Sequence, residues 1–197
     1  MKVILASKNQ HKLTELSAIL SQLGFEIALE SEYGLDIDVE ETGTTFEENS
    51  FLKADAVMKA SGLPVLADDS GLMVDALDGA PGVYSARYGH KASDKERTAY
   101  LLENMKDVPE ERRGAKFVCV ITCLFPDGRK IVARGECPGV IARAPHGENR
   151  LRLRPGFLSS RAWHDVCRAA ERTEKRNFPQ SARSAGFLQK ISRGTEP

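Results

Sequence analysis

An α/β fold with a mixed β-sheet is the architecture this sequence predicts, and three observations predict it. Short apolar runs alternate with segments of helical period, two Ser/Thr-x-x-Glu capping boxes open helices, and two long apolar runs bracket a Pro-Asp-Gly turn. At 197 residues one compact domain is expected, large enough for one substantial core. The 41% hydrophobic and 28% charged content fits a soluble globular protein, and no apolar run of about 18 residues offers a bilayer span. "MKVILASKNQHK" lacks the long apolar region of a secretory leader, so a cytoplasmic location is expected, with no membrane partner. Four cysteines without a CxxC pair or a His-Cys ligand spacing read as buried thiols of a reducing compartment.

Each element has its own signal. "KVILA" (2–6) is a short apolar strand, the polar "SKNQHK" follows it, and Leu13, Leu16, Ile19, Leu20 and Leu23 then recur at helical spacing. "FEIAL" (25–29) reads as a second strand, and an acidic, turn-rich stretch runs from Glu30 to Glu48. Thr45 with Glu48 opens the next helix. "LPVLADDSGLMVDAL" reads as a strand, a polar turn at Asp68-Asp69-Ser70-Gly71 and a second apolar run. "DGAPGVYSARYG" is a loop, Ser93 with Glu96 caps a helix through Met105, and "KFVCVITCLFPDGRKIVARGECPGVI" forms a β-hairpin turning at Pro126-Asp127-Gly128.

Four places can carry chemistry. "SKNQHK" puts amide, hydroxyl and ammonium donors of Ser7, Asn9, Gln10, Lys8 and Lys12 where a strand gives way to a helix, a setting suited to a triphosphate. It is not a Walker A loop, and a plain strand–helix connection with solvated lysines reads the same way. Asp68 and Asp69 close an apolar strand; neighbours on a strand face opposite ways, so one pocket sees both only if Gly71 turns the chain. Carboxylates beside phosphate repel it unless Mg2+ bridges them. In "EETGTTFEEN" a helix start accounts for Glu47 and Glu48, whereas Glu40 and Glu41 lack that explanation; Lys53, on the same helix, reaches a phosphate or stays solvated. Tyr84, Ser85, Arg87 and Tyr88 contact a nucleotide or pack a loop. The four histidines, His11, His90, His146 and His164, show no mutual ligand spacing, and none is assigned to metal.

Taken in order, "LASKNQHKLTEL", "EETGTTFEENSFLKA", "LADDSGLMVDALDGAPGVYSARY" and "FVCVITC" with "GECPGVI" resemble the inosine triphosphate pyrophosphatase family. The resemblance runs from Met1 to about Asn149. It implies an elongated mixed β-sheet flanked by helices, two lobes around a nucleotide cleft, and a homodimer. It implies Mg2+-dependent hydrolysis of the triphosphates of inosine, deoxyinosine and xanthosine between the α- and β-phosphates, giving the monophosphate and pyrophosphate. Carried onto this sequence, Ser7, Lys8, Asn9, Gln10, His11 and Lys12 hold the triphosphate and Ser70 touches the nucleotide. Asp69 accepts the proton of the attacking water and ligates the metal, with Glu41, or less naturally Glu40, as its companion.

Residues 150–197 break the pattern. They carry 11 Lys and Arg against 4 Asp and Glu, whereas residues 1–149 carry 17 against 24. Val and Ile shrink to Val166 and Ile191 in this segment. The family's Gly-Phe-Gly-Tyr-Asp-Pro, Thr-Phe-Ala-Glu-Leu and Ser-His-Arg segments, much of its purine pocket, are absent. One allowed set of codons for Arg150 to Pro155, CGG CTT CGG CTA CGA CCC, yields Gly-Phe-Gly-Tyr-Asp when read one base later. The same shift recovers Met-Thr-Phe-Ala-Glu-Leu from His164 to Ala170 and Ala-Ile-Ser-His-Arg-Ala from Arg176 to Arg183. The expectation is a frameshift near Glu148 to Arg150, with 1–149 the pyrophosphatase domain and 150–197 an out-of-frame tail replacing the rest of it. Two competing functions are a nucleic-acid binder using the basic tail and a septum-inhibition type of nucleotide pyrophosphatase. The latter carries an Arg-rich loop where this chain has "SKNQHK", and no known motif frames the tail's arginines, so neither nucleic acid nor membrane is an expected partner.

Overall fold

The structure, a computed structural model, describes residues 1–21 and 25–144. Leu23, Cys167 and everything expected of residues 150–197 lie outside the described residues. Five strands and three α-helices follow in the order β1 (Lys2–Leu5), α1 (Gln10–Leu20), β2 (Glu26–Leu29), α2 (Phe46–Ser61), β3 (Val65–Val74), α3 (Asp94–Asn104), β4 (Gly114–Leu124) and β5 (Lys130–Val140). They form a sheet in the order β2-β1-β3-β4-β5. β1 pairs parallel to β2, with Lys2 opposite Glu26, and to β3, with Ile4 opposite Val65. β4 and β5 are joined through Phe125 to Arg129, a connection only an antiparallel pair permits. The sheet is mixed, as expected.

Two compact units divide these residues. The first comprises Met1–Asp69 with Val120–Arg134, and the second Ser70–Cys119 with 135–144. In the first, Ala54 and Val57 of α2 pack with Ile4, Val65, Ala67 and Leu124 from β1, β3 and β4. Thr45 caps α2 through the Glu48 amide while Glu48 reaches back to the Thr45 amide, and Gly62, at φ 67°, ends the helix. In the second, Leu72 and Val74 of β3 pack with Leu101, Met105, Ala115 and Ile141, and Ser93 with Glu96 repeats the capping box. Cys119 and Cys123 are buried free thiols, and burial pushes the Cys123 thiol up to about 12. Cys137 is half-buried on β5, where the sequence reading had it buried.

One expectation fails. "ADDSG" is not a turn: β3 runs unbroken for ten residues through Asp68, Asp69, Ser70 and Gly71. Turn composition yields to burial, since Val65 to Asp69, Gly71, Leu72 and Val74 are all buried, and a strand covered on both sides keeps its ladder whatever its local propensity. The loop at 79–88 is largely 3-10 turns over Gly82–His90, with the Ser85 hydroxyl donating to the Gly82 carbonyl and accepting the Leu72 amide.

Candidate functional site

The site is built where four pieces of the first unit meet. β1 ends at Leu5 and passes through Ser7 and Lys8 into α1, whose start is braced by Asn9: its Oδ1 accepts from the Lys12 amide, and its own amide donates to Ser7 Oγ. The coil after β2 carries Glu41. The helix α2 carries Lys53, and β3 carries Asp68 and Asp69 side by side.

Because β3 is continuous here and neighbours on a strand face opposite ways, its two aspartates meet different lysines. Asp68 Oδ2 pairs with Lys12 Nζ at 2.6 Å, its side chain 1% exposed. Asp69 Oδ1 lies 3.4 Å from Lys53 Nζ, and that ammonium also donates to Glu41 Oε1 at 2.9 Å. Lys53 thus bridges two carboxylates that lie 28 residues apart in the chain. Asp69 Oδ2 is buried and accepts no hydrogen bond among the described residues. Burial raises the Asp69 pKa and Glu41 adds to the rise, while Lys53 and the Asn49 amide oppose it.

Beside Glu41 and Lys53 opens a cavity of about 200 Å3, lined by the polar residues Ser7, Lys8, Glu30, Asp38, Glu41 and Lys53 and floored by Ala6, Ile37, Val39 and Val57. Lys8 is exposed and its ammonium lies 2.6 Å from Asp36, which holds its pKa up. Glu30 is only 4% exposed, and burial raises its pKa, with Asp36 adding to the rise and Lys8 opposing it.

Of the residues singled out in the sequence, Ser7, Lys8, Glu41 and Lys53 line one cavity, and Asp69 joins them through Lys53. Asn9 serves the start of α1, Gln10 is exposed in its first turn, and Lys12 is held by Asp68. His11 lies in α1, but its side chain is outside what is described. Ser70 follows Asp69 on β3, half-buried, at the start of the second unit. Glu40 is exposed and makes no contact with Lys53, in contrast to Glu41. Tyr84 is 55% exposed, with the Arg87 guanidinium over its ring, and both lie in the second unit. Sequence reasoning missed Glu30 and Asn49. Glu30 is one acid in an acidic stretch and Asn49 one polar residue of a helix's first turn, and only their burial distinguishes them. Among the described residues no three His, Cys, Asp or Glu side chains converge as a ready metal cluster, and no helix is long and apolar enough to cross a membrane.

The sequence profile of the Ham1 family matches residues 3–189. A dITP/XTP pyrophosphatase of Thermus thermophilus is 49% identical over 157 residues, covering 80% of this chain and 75% of its own. That of Vibrio cholerae is 42% identical over 198 residues, covering 99% of this chain and 96% of its own. Among solved structures, a HAM1 protein from Coxiella burnetii superposes with a TM-score of 0.78 at 35% identity, covering 89% of this chain and 97% of its own. The Ham1 protein of Staphylococcus aureus gives 0.76 at 36% identity, with both chains covered in full. By profile, relatives and fold alike, the chain belongs to the Ham1 family.

Proposed function

We propose that this chain is a nucleoside triphosphate pyrophosphohydrolase of noncanonical purines. It splits the triphosphates of inosine, deoxyinosine and xanthosine between the α- and β-phosphates, with Mg2+, and so removes them from the nucleotide pool. The observation that carries the reading is Lys53 bridging Glu41 and Asp69 at the wall of a cavity that also presents Ser7 and Lys8. The names of the relatives, dITP/XTP pyrophosphatases, point the same way.

Phosphoryl chemistry asks for charge neutralisation and an aligned water more than for covalent machinery. In this reading Ser7, Lys8, Asn9, Gln10, His11 and Lys12 hold the triphosphate. Lys8 trades Asp36 for a phosphate oxygen, an exchange its exposure permits at little cost. Asp69 takes the proton of the attacking water, and the upward push of burial moves its carboxylate toward the range where a base works best near neutral pH. Ser70 contacts the nucleotide. The donors suit Mg2+: Glu41 and Asp69 offer hard oxygens, and Asp69 Oδ2 is buried with an unused lone pair. This ion is commonly held by one or two carboxylates plus substrate phosphates, not by a full protein cage. Glu41 and Asp69 would hold the ion there, and it would supply positive charge to offset the phosphates of the substrate. A homodimer completes the reading, supported by the family resemblance alone and checked by sedimentation.

The tail enters the same proposal. With 150–197 out of frame, the purine-pocket segments are missing, so the 197-residue chain releases little or no pyrophosphate from inosine triphosphate. A chain with the shifted frame restored from Glu148 releases it and prefers inosine over pyrimidine triphosphates. Pyrophosphate release with Mg2+ tests both halves. Full, selective activity in the 197-residue chain refutes the view of the tail, and an inactive restored chain refutes the function. An uninterrupted gene whose codons do not yield the shifted motifs also removes the frameshift.

A further inference from the structure

Asn49 is fully buried on α2, one helical turn before Lys53, so the two side chains leave the same face of the helix. Lys53 reaches Glu41 on one side and Asp69 on the other. Asn49 makes a second tie from α2 to the Glu41 loop. Its Oδ1 accepts the Gly43 amide at 2.8 Å, two residues beyond Glu41 in the same loop. Its Nδ2 and Asp69 Oδ2 are both shut off from solvent without a hydrogen-bond partner among the described residues. The loop comes this near only because position 43 is glycine: a Cβ there would stand 2.6 Å from Asn49 Oδ1 and 2.7 Å from Glu48 Cβ.

The two ties differ in charge. The Lys53 ammonium sits between the carboxylates that a divalent cation would take, so arrival of that cation repels it and loosens its contacts. The Asn49 amide is neutral and keeps its hold on the loop through the Gly43 amide. We propose that Asn49 is a positioning residue that keeps the Glu41 loop tied to α2 when Lys53 lets go, so that the Glu41 carboxylate stays in place to meet a divalent cation together with Asp69. This rests on the metal reading above and extends it to a residue that ligates nothing.

Mn2+ added to the full chain, with free ion counted by electron paramagnetic resonance, tests the proposal apart from any activity. Asn49→Ala weakens Mn2+ binding about tenfold, as loss of a group that orients a ligand does. Gly43→Ala, which wedges the loop away without touching Asp69, weakens it similarly, and the double variant is no weaker than the poorer single one. Lys53→Met tightens it. A purely structural Asn49 would instead lower the melting temperature while the folded variant bound Mn2+ as tightly as the parent, and that result overturns the proposal. Should Asn49→Ala fail to fold, Gly43→Ala carries the test, and unchanged affinity there overturns it equally. Asp69→Asn is the control. If it abolishes Mn2+ binding while both loop variants leave it intact, only the positioning role falls. If it leaves binding unchanged, the metal reading falls and takes this proposal with it.

Discussion

Arg113 in the second unit and Asp69 in the first are both buried charged side chains, 1% and 7% exposed, and they are satisfied in opposite ways. Arg113 spends every nitrogen on backbone carbonyls: Nε on Ile141 at 2.7 Å, Nη1 on Met105 and Val108 at 2.7 and 3.3 Å, Nη2 on Ala142 at 3.2 Å. Asp69 shares one oxygen with a lysine and leaves the other with nothing. Burial of charge therefore does not by itself mark a site; what marks it is the atom left over. A fully committed guanidinium can only hold the chain together, whereas an uncommitted carboxylate oxygen is available to a ligand.

The largest effect expected from this contrast is on stability. Arg113→Met strands several carbonyls at about 1–3 kcal/mol each, so unfolding in urea should lose roughly 3 kcal/mol or more. Asp69→Asn removes a charge that burial already disfavours and should cost less than about 1 kcal/mol. Equal costs, or the reverse order, would break the comparison. A smaller effect sharpens it. Thr45→Ala and Ser93→Ala each remove a helix cap worth about 1 kcal/mol. Only Thr45 adjoins the Gly43–Asn49 contact, so hydrogen exchange at the Gly43 amide should quicken in Thr45→Ala and stay unchanged in Ser93→Ala.

The smallest effect concerns Glu30, whose pKa is raised in the folded chain. The native state then holds its proton to higher pH than the unfolded state does. Its contribution is intact below the ordinary carboxylate range and is lost as pH climbs through the raised value. Glu30→Gln should flatten that part of the stability profile by less than about 1 kcal/mol, read from urea midpoints at about pH 4 and pH 7. A profile identical to the parent's would show that the cavity wets Glu30 more than its burial implies.

Local signals in the sequence were legible. The Thr45/Glu48 and Ser93/Glu96 boxes and the Pro126-Asp127-Gly128 turn each complete themselves within a few residues, so no distant packing is needed to read them. "ADDSG" was misread because its turn composition is local, whereas its burial comes from neighbours far away in the chain. The pairing of Glu41 with Lys53 and Asp69 spans 12 and 16 residues to that lysine, and no periodicity encodes it; the family resemblance put Glu41 and Asp69 at one metal but gave Lys53 no part between them. Asn49 was given no part either. Its identity matters through the Oδ1 that accepts the Gly43 amide, and that partner is set by the path of the loop and not by helical period.

The Arg113 carbonyls also bear on the order of assembly. Two of them belong to residues 105 and 108, shortly before the arginine, and two to residues 141 and 142, after both strands of the β4–β5 hairpin. During synthesis the guanidinium emerges with only half its acceptors made. The chain must grow by nearly thirty residues and zip the hairpin before the rest arrive. The second unit is therefore a late-closing piece, clasped from its far end, while β1, β2 and the N-terminal half of β3 can pair before the clasp exists.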